Sequence, residues 1–381
     1  MHQIDNIKSI EYKIFNTNRF ALSSKEKNEI VKDLKNSKIL IVGSAGSIGS
    51  VFTKKILKYN FDELFLIDKD ENSLTELNRE INLFFPKLKK RINYIVLDIT
   101  SSNIDNILKN KKITHYFNFA AMKHVRSEEN INSVKYMFKT NSFDFLPSKK
   151  FFLKKFFSIS TDKTCEPKSI LGISKKIMEQ NLANFKKKNP MVHVSTTRFA
   201  NVAFSKGSIL EFANKRINEK LSFGIPKNIK RFFINHSEAC NLCFKSILRE
   251  KDGGITIPNI NTFGKEEFIY EVVEKILKIK KVKYKFKKKV RSIKNKVLHI
   301  ELKNQNNHGQ KTSEIFKEKN EKIIYTSYDK KTLLLPLIQT NKNFQKKILN
   351  QSNLSKLKNF LKKNFKTYKP PIKEKEVSRE I

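Results

Sequence analysis

From Lys38 onward, short apolar runs alternate with amphipathic stretches. Ile39-Leu-Ile-Val42, Leu64-Phe-Leu-Ile67, Tyr94-Ile-Val-Leu97, His115-Tyr-Phe-Asn-Phe119, Phe156 to Ser160 and Val192 to Arg198 read as strands. Ile48 to Leu57, Glu71 to Asn82, Ile131 to Thr140 and Ser169 to about Phe185 read as the helices between them. Strands that are apolar on both faces must be covered on both faces. The pattern therefore predicts an α/β fold with a doubly wound parallel sheet of the Rossmann type. After about residue 200 the alternation becomes irregular, with helices around 209–219 and 238–248. This predicts a smaller C-terminal substrate-binding lobe. The expected division is a polar N-terminal extension over 1–37, a Rossmann domain over 38–205, a lobe with interleaved elements over 206–330, and a basic C-terminal tail over 331–381, Lys/Glu-rich and mobile from Lys369.

The first strand runs directly into Gly43-Ser-Ala-Gly46-Ser-Ile-Gly49, which opens the first helix. Three of the ten glycines in the chain fall in this heptapeptide, so the spacing carries information. A tight turn, a close backbone approach to a pyrophosphate and close helix–strand packing each call for glycine there. The helix N-terminus that follows offers N–H groups and a positive dipole end to phosphate. Gly43, Ser44, Gly46, Ser47, Ile48 and Gly49 are thus candidate cofactor contacts. Asp68 closes the second strand, where an acid holds the ribose hydroxyls of NAD. Its neighbour Lys69 could instead accept the 2′-phosphate of NADP, so NAD or NADP is expected, with NAD favoured. Asp98 and Ile99 end the third strand, and Ala120 and Ala121 follow the fourth. They complete the expected cofactor set.

A second strand end carries chemistry. In Ser158-Ile-Ser-Thr161-Asp162-Lys163 a hydroxyl, a carboxylate and an amine follow an apolar run, the signature of the carboxyl end of a buried parallel strand. Eight residues on, Leu171 and Lys175 lie four apart on the next helix. The pair resembles the YxxxK pattern of short-chain dehydrogenases, with Lys175 as its lysine and Leu171 in the tyrosine's place.

Ser160-Thr-Asp-Lys163, Asn118-Phe-Ala-Ala-Met-Lys-His-Val125, Arg198-Phe-Ala-Asn-Val202, Ser205-Lys-Gly-Ser208 and Arg231-Phe-Phe are ordered and spaced as in one group. From about Lys38 to Leu248 the chain resembles the polysaccharide-biosynthesis branch of extended short-chain dehydrogenases, whose typical member is an inverting UDP-N-acetylglucosamine 4,6-dehydratase. The resemblance implies NAD or NADP as an internal hydride carrier, a nucleotide-sugar substrate, and self-association. It implies oxidation at C4, loss of the C5 proton to Lys163, departure of the C6 hydroxyl with help from Asp162, and reduction at C6. Thr161 would bind the C4 oxygen and Lys175 the nicotinamide ribose. Lys123, Asn201, Ser205, Ser208 and Arg231 would contact the substrate. Leu171 cannot accept the C4 proton, and Ala200 stands where glycine is common. The first departure points to Asp162, Lys163 or a relayed water as its acceptor. A 4-epimerase of the same fold and a non-catalytic dinucleotide-binding relative are the competing readings.

Composition narrows the picture. The chain has 381 residues and a formal charge of +41, and 39% of it is hydrophobic. Such a charge suggests nucleic acid or a membrane surface. The cations are spread along the whole chain, however, and the dense block Lys278–Lys296 alternates with Val282, Tyr284 and Phe286 as a strand with one solvated face does. With 31 Phe, 10 Gly and no Trp, the bias reads as compositional, and nucleic acid is not expected as a partner. No run approaches the roughly 20 apolar residues of a membrane span, and the N-terminus lacks a signal-type apolar core. A cytoplasmic protein is expected. Cys240-Asn-Leu-Cys243 has CxxC spacing without a second Cys/His pair, so packed thiols are expected and no metal.

Overall fold

The computed structural model describes residues 2–101, 103–147, 151–248, 253–287, 297–304, 313–327, 329–340 and 342–370. Two helices, α1 (His2–Phe15) and α2 (Ser24–Leu34), precede the alternation. Then come β1 (Lys38–Val42), α3 (Ser47–Ile56), β2 (Glu63–Asp68), α4 (Glu71–Phe84), β3 (Ile92–Val96), α5 (Asn103–Leu108), β4 (His115–Asn118), α6 (Ile131–Phe138), β5 (Lys155–Ser158), α7 (Ile170–Lys188) and β6 (His193–Thr197). The sheet order is β3-β2-β1-β4-β5-β6, continued by Gly254–Pro258, all parallel. This is the expected doubly wound sheet. Thr332–Leu335 and Tyr325–Thr326 extend it on the antiparallel edge. The direction of winding changes between β1 and β4, so the crevice at their carboxyl ends is the place for a ligand.

Buried sheet residues such as Ile39, Leu40, Ile41 and Phe117 feed apolar clusters on both faces. That is why the strands read as continuous apolar runs rather than as alternating ones. Two helices of the sheet layer start at a side-chain cap: Asp70 accepts from Ser73 N–H before α4, and Ser169 accepts from Gly172 N–H before α7.

The second lobe is built on a parallel three-stranded sheet, Tyr284–Lys287, Leu298–Lys303 and Phe223–Pro226. Helices Ile209–Asn218 and Ile269–Ile279 pack on it, and Ile10 and Phe15 of α1 join the same apolar cluster. The N-terminal stretch is thus split between two cores, because Ile30 and Leu34 of α2 enter the main one. In the dense basic block, Tyr284–Lys287 is a strand whose Lys residues are the exposed ones, and 288–296 lies outside the described residues.

The segment expected as a basic tail folds over most of its described length. Phe344–Leu349 and Leu354–Asn364 are helices whose Phe344, Ile348, Leu357 and Leu361 bury against α6 and α7. Lysines fill the solvated faces of these helices, so average composition concealed a regular apolar stripe. The part 371–381 lies outside the described residues. Cys240 and Cys243 are buried in His236–Ile247, and burial pushes the Cys240 thiol up to about 12, which suits packed rather than reactive sulfur. Among the described residues, no helix is long and apolar enough to cross a membrane.

Candidate active site

Gly43 leaves β1 with φ of 73°, and a Cβ there would lie 2.5 Å from the Ala120 amide nitrogen. Only glycine lets the loop close against the end of β4. At Gly49 a Cβ would meet the Gly43 carbonyl oxygen at 2.0 Å. Gly46 is the N-cap of α3 and has no side chain to satisfy the helix's first N–H groups. Those donors are left for a ligand, which is the fit a pyrophosphate requires. Asp68 holds the loop from below: its carboxylate accepts from Ala45 N–H at 2.9 Å and from Asp70 N–H at 3.1 Å. Ser47 Oγ accepts from Lys206 N–H at 2.8 Å, and Lys206 Nζ reaches Asp70 at 3.0 Å. Lys206 therefore bridges the starts of α3 and α4.

The other cofactor candidates divide. Ser44 is buried, and its hydroxyl donates to the Ile67 carbonyl, so it serves the turn. Ile48 is half-buried against the main core, and Ile99 is buried in the core. Ala120 is half-buried, with its N–H on Asn118 Oδ1, and Ala121 is exposed. Asp98 accepts from the Thr100 N–H and hydroxyl, each at 2.9 Å, and from the Tyr136 hydroxyl. Burial raises its pKa, but these hydrogen bonds outweigh that and hold it low. Lys69 donates to the Tyr136 hydroxyl at 3.1 Å and lies over its ring. Lys69 and Asp98 are thus joined through Tyr136.

At the end of β5, Thr161 caps the short turn Asp162–Thr164. Thr161 Oγ1 donates to Asp162 Oδ1 at 2.8 Å, and Lys163 Nζ donates to the same oxygen at 3.2 Å. Asp162 is buried, while the Lys163 side chain is 40% exposed. Lys175 stands just behind: it is buried and donates Nζ to the Ile159 carbonyl at 2.9 Å. Burial pushes its ammonium down to about 7, with Glu179 opposing. Lys123 is exposed at the same site. Desolvation of part of its side chain and the nearby Lys163 and Lys206 lower its pKa, against Glu211. Leu171 is buried in the cluster that includes Leu357, Leu361 and Tyr368, and its N–H and that of Ile170 are capped by the Glu128 carboxylate.

The predicted substrate residues also divide. Ser208 is the N-cap of Ile209–Asn218, so its hydroxyl supports that helix, and Ser205 lies in the turn before it. Asn201 and Arg231 come together at a residue the motifs did not reveal, Glu314. Asn201 Nδ2 donates to Glu314 Oε1 at 2.6 Å, and Phe232 N–H donates to Oε2 at 2.7 Å. Burial, then Asp162, push Glu314 up to about 8, against Lys163 and Arg231.

A buried ion cluster lies under the site. Arg198 donates to both oxygens of Glu179 and both of Glu321, at 2.7–2.8 Å, and Ser160 donates to Glu179 at 2.7 Å. The segment from Ser313 to Glu321 is thereby tied to α7 and to the residue preceding Thr161. Phe316 stacks on Phe263 within it. In the sequence Arg198 is marked only by its place in the Arg198–Val202 motif. Glu179, Glu314, Glu321 and Tyr136 carried no local signal, whereas Lys206 sits inside the Ser205–Ser208 motif and was readable there.

The family described as polysaccharide biosynthesis protein matches residues 39–336. An uncharacterized membrane protein of Methanocaldococcus jannaschii is 29% identical over 251 residues, 64% of this chain and 72% of that one. The UDP-N-acetylglucosamine 4,6-dehydratase (inverting) of Campylobacter jejuni is 27% identical over 237 residues. That match covers 58% of this chain and 66% of the enzyme, and the match to the capsular polysaccharide biosynthesis protein CapD of Staphylococcus aureus covers 42% of CapD. In fold, the chain is similar to Pen from Bacillus thuringiensis, with TM-score 0.61 and 19% identity over 81% of this chain and 90% of that one. It is also similar to the UDP-glucuronic acid 4-epimerase of Bacillus cereus, solved with UDP-glucuronic acid and NAD, with TM-score 0.53 and 19% identity over 85% and 99%. With residues 39–336 of its 381 matched by the family, the chain belongs to the polysaccharide biosynthesis protein family, in the extended short-chain dehydrogenase class.

Proposed function

We propose that the protein is a nucleotide-sugar 4,6-dehydratase acting on UDP-N-acetylglucosamine, with NAD favoured over NADP in the Gly43–Gly49 cradle. Asp68 at the end of β2 and the bare N-terminus of α3 support the cofactor reading. Bound there, the nicotinamide would take a hydride from C4 of the sugar and return it at C6.

The observation that carries the reading is that one buried carboxylate, Asp162, takes hydrogen bonds from both Thr161 and Lys163. This gives the C4 proton a route without a tyrosine. Thr161 accepts it and passes its own proton to Asp162, 2.8 Å away. Asp162 then holds the proton needed by the departing C6 oxygen, which leaves as water. Lys163 is the base for the C5 proton that the 4-ketone acidifies, and C5 regains a proton as C6 is reduced. The proton lost at C4 leaves in the water, so the cycle balances and the product is a 4-keto-6-deoxy sugar. In this reading Lys175, whose Nζ donates to the Ile159 carbonyl at 2.9 Å, is the residue for the nicotinamide ribose.

Incubation of purified protein with UDP-N-acetylglucosamine, followed by mass spectrometry, tests this. A product lighter by one water is expected. An isomer of unchanged mass means a 4-epimerase, and no product with cofactor bound means a non-catalytic relative.

A further inference from the structure

Glu314 is 3% exposed and follows the second lobe in the chain, yet its charged neighbours are Asp162 and Lys163 of the catalytic turn and Arg231 of the strand Lys230–Arg231. Its own N–H donates to Glu266 Oε1 at 3.0 Å. A buried carboxyl beside a second buried carboxyl is costly, and an apolar side chain or an amide would fill the space with less penalty. Its two oxygens are taken by the Asn201 amide and the Phe232 N–H.

We propose that Glu314 is a positioning residue of the sugar pocket, fixing the Asn201 amide so that its Oδ1 accepts from a hydroxyl or acetamido N–H of the substrate. Asn201 has two donors and one acceptor group on its side chain. By taking Nδ2, Glu314 settles which end is left for the sugar. This inference rests on the nucleotide-sugar reading above and deepens it. It also has a consequence for pH. Near neutrality Glu314 is protonated and tolerates the Asp162 charge. As pH rises through about 8 it ionises, and two neighbouring carboxylates then repel in a buried site.

The test is a double-mutant cycle with Glu314→Gln and Asn201→Ala, read as kcat and KM for UDP-N-acetylglucosamine from pH 6 to 9.5. Thermal unfolding and NADH fluorescence check fold and cofactor. Glu314→Gln should raise KM about tenfold with a smaller effect on kcat, because the amide leaves one of its two donors unmatched. It should also flatten the decline of the wild type above pH 8. The double variant should match the worse single variant within about twofold, as expected of residues acting through one another. Multiplicative losses, or a Glu314→Gln profile identical to wild type, overturn the proposal. If Glu314→Gln fails to fold, Asn201→Ala decides alone: an unchanged KM overturns the positioning role and a raised one supports it. If wild type gives no water-loss product, the dehydratase reading fails by itself, and the same cycle is read on calorimetric binding of UDP-N-acetylglucosamine. There, loss of affinity and of its pH dependence in Glu314→Gln supports the proposal, and unchanged binding overturns it.

Discussion

The Cβ that Gly172 lacks would lie 2.4 Å from the Lys163 carbonyl oxygen. The second residue past the α7 N-terminus and the last residue of the Thr161–Lys163 trio are thus in backbone contact. The glycine lets the turn lean on the helix that carries Lys175. Gly172→Ala should push the turn away, costing about 1–3 kcal/mol as overpacking does. Turnover should fall further than stability alone would require, while NADH binding is retained. Urea unfolding and kcat on the same preparation check this.

Gly43→Ala should act on the other side of the crevice. The positive φ and the 2.5 Å approach to the Ala120 nitrogen leave no room for a methyl. Strain of about 1–3 kcal/mol is expected, with loss of NADH binding by fluorescence titration. Unchanged affinity would remove the loop from the cofactor site.

The Arg198 cluster should be the most expensive interaction to break. Arg198→Met leaves Glu179 and Glu321 buried without their partner, and removal of one member of such a group costs about 3–5 kcal/mol. Adding Glu179→Gln and Glu321→Gln should recover much of it. The urea midpoint, at constant m, measures both steps.

Lys175 predicts a pH dependence of stability. Its ordinary value is 10.5, and in the folded protein burial lowers it to about 7. Between those values the unfolded chain binds a proton that the folded one does not, so this group makes stability rise with pH across the window. Lys175→Met removes the effect. Without cofactor, the variant should gain most over wild type below pH 7, and the gain should shrink toward pH 10. Melting temperatures of the two proteins across pH 6–10 check the sign.

The Thr161 relay can be isolated by Thr161→Val, which keeps the shape and deletes the hydroxyl bonded to Asp162. A loss of about 10²–10⁴ in kcat/KM is expected if the C4 proton travels this way. A loss below tenfold would return the C4 proton to a water.

The strands and helices from β1 to β6 were legible because strand burial and helix amphipathicity leave local periods, and the cradle because its glycines are dictated by adjacent backbone. Boundaries moved where no cap or turn marked them, as at β3, which begins at Ile92 rather than Tyr94. The Thr161–Lys163 trio could be read because a polar cluster ending an apolar strand is a local contrast. The helices Phe344–Leu349 and Leu354–Asn364 are not legible in the sequence because lysine excess masks their apolar positions.

The sequence by itself determined the doubly wound sheet, the dinucleotide-type loop and the residues at the end of β5. Only the tertiary structure decided that Glu314 meets Asn201, that Glu321 meets Arg198, and that Leu171 belongs to an apolar seam with Leu357, Leu361 and Tyr368. Those pairings join residues far apart in the chain. A buried carboxylate has no periodic signature, and its meaning depends on which donor the fold brings to it.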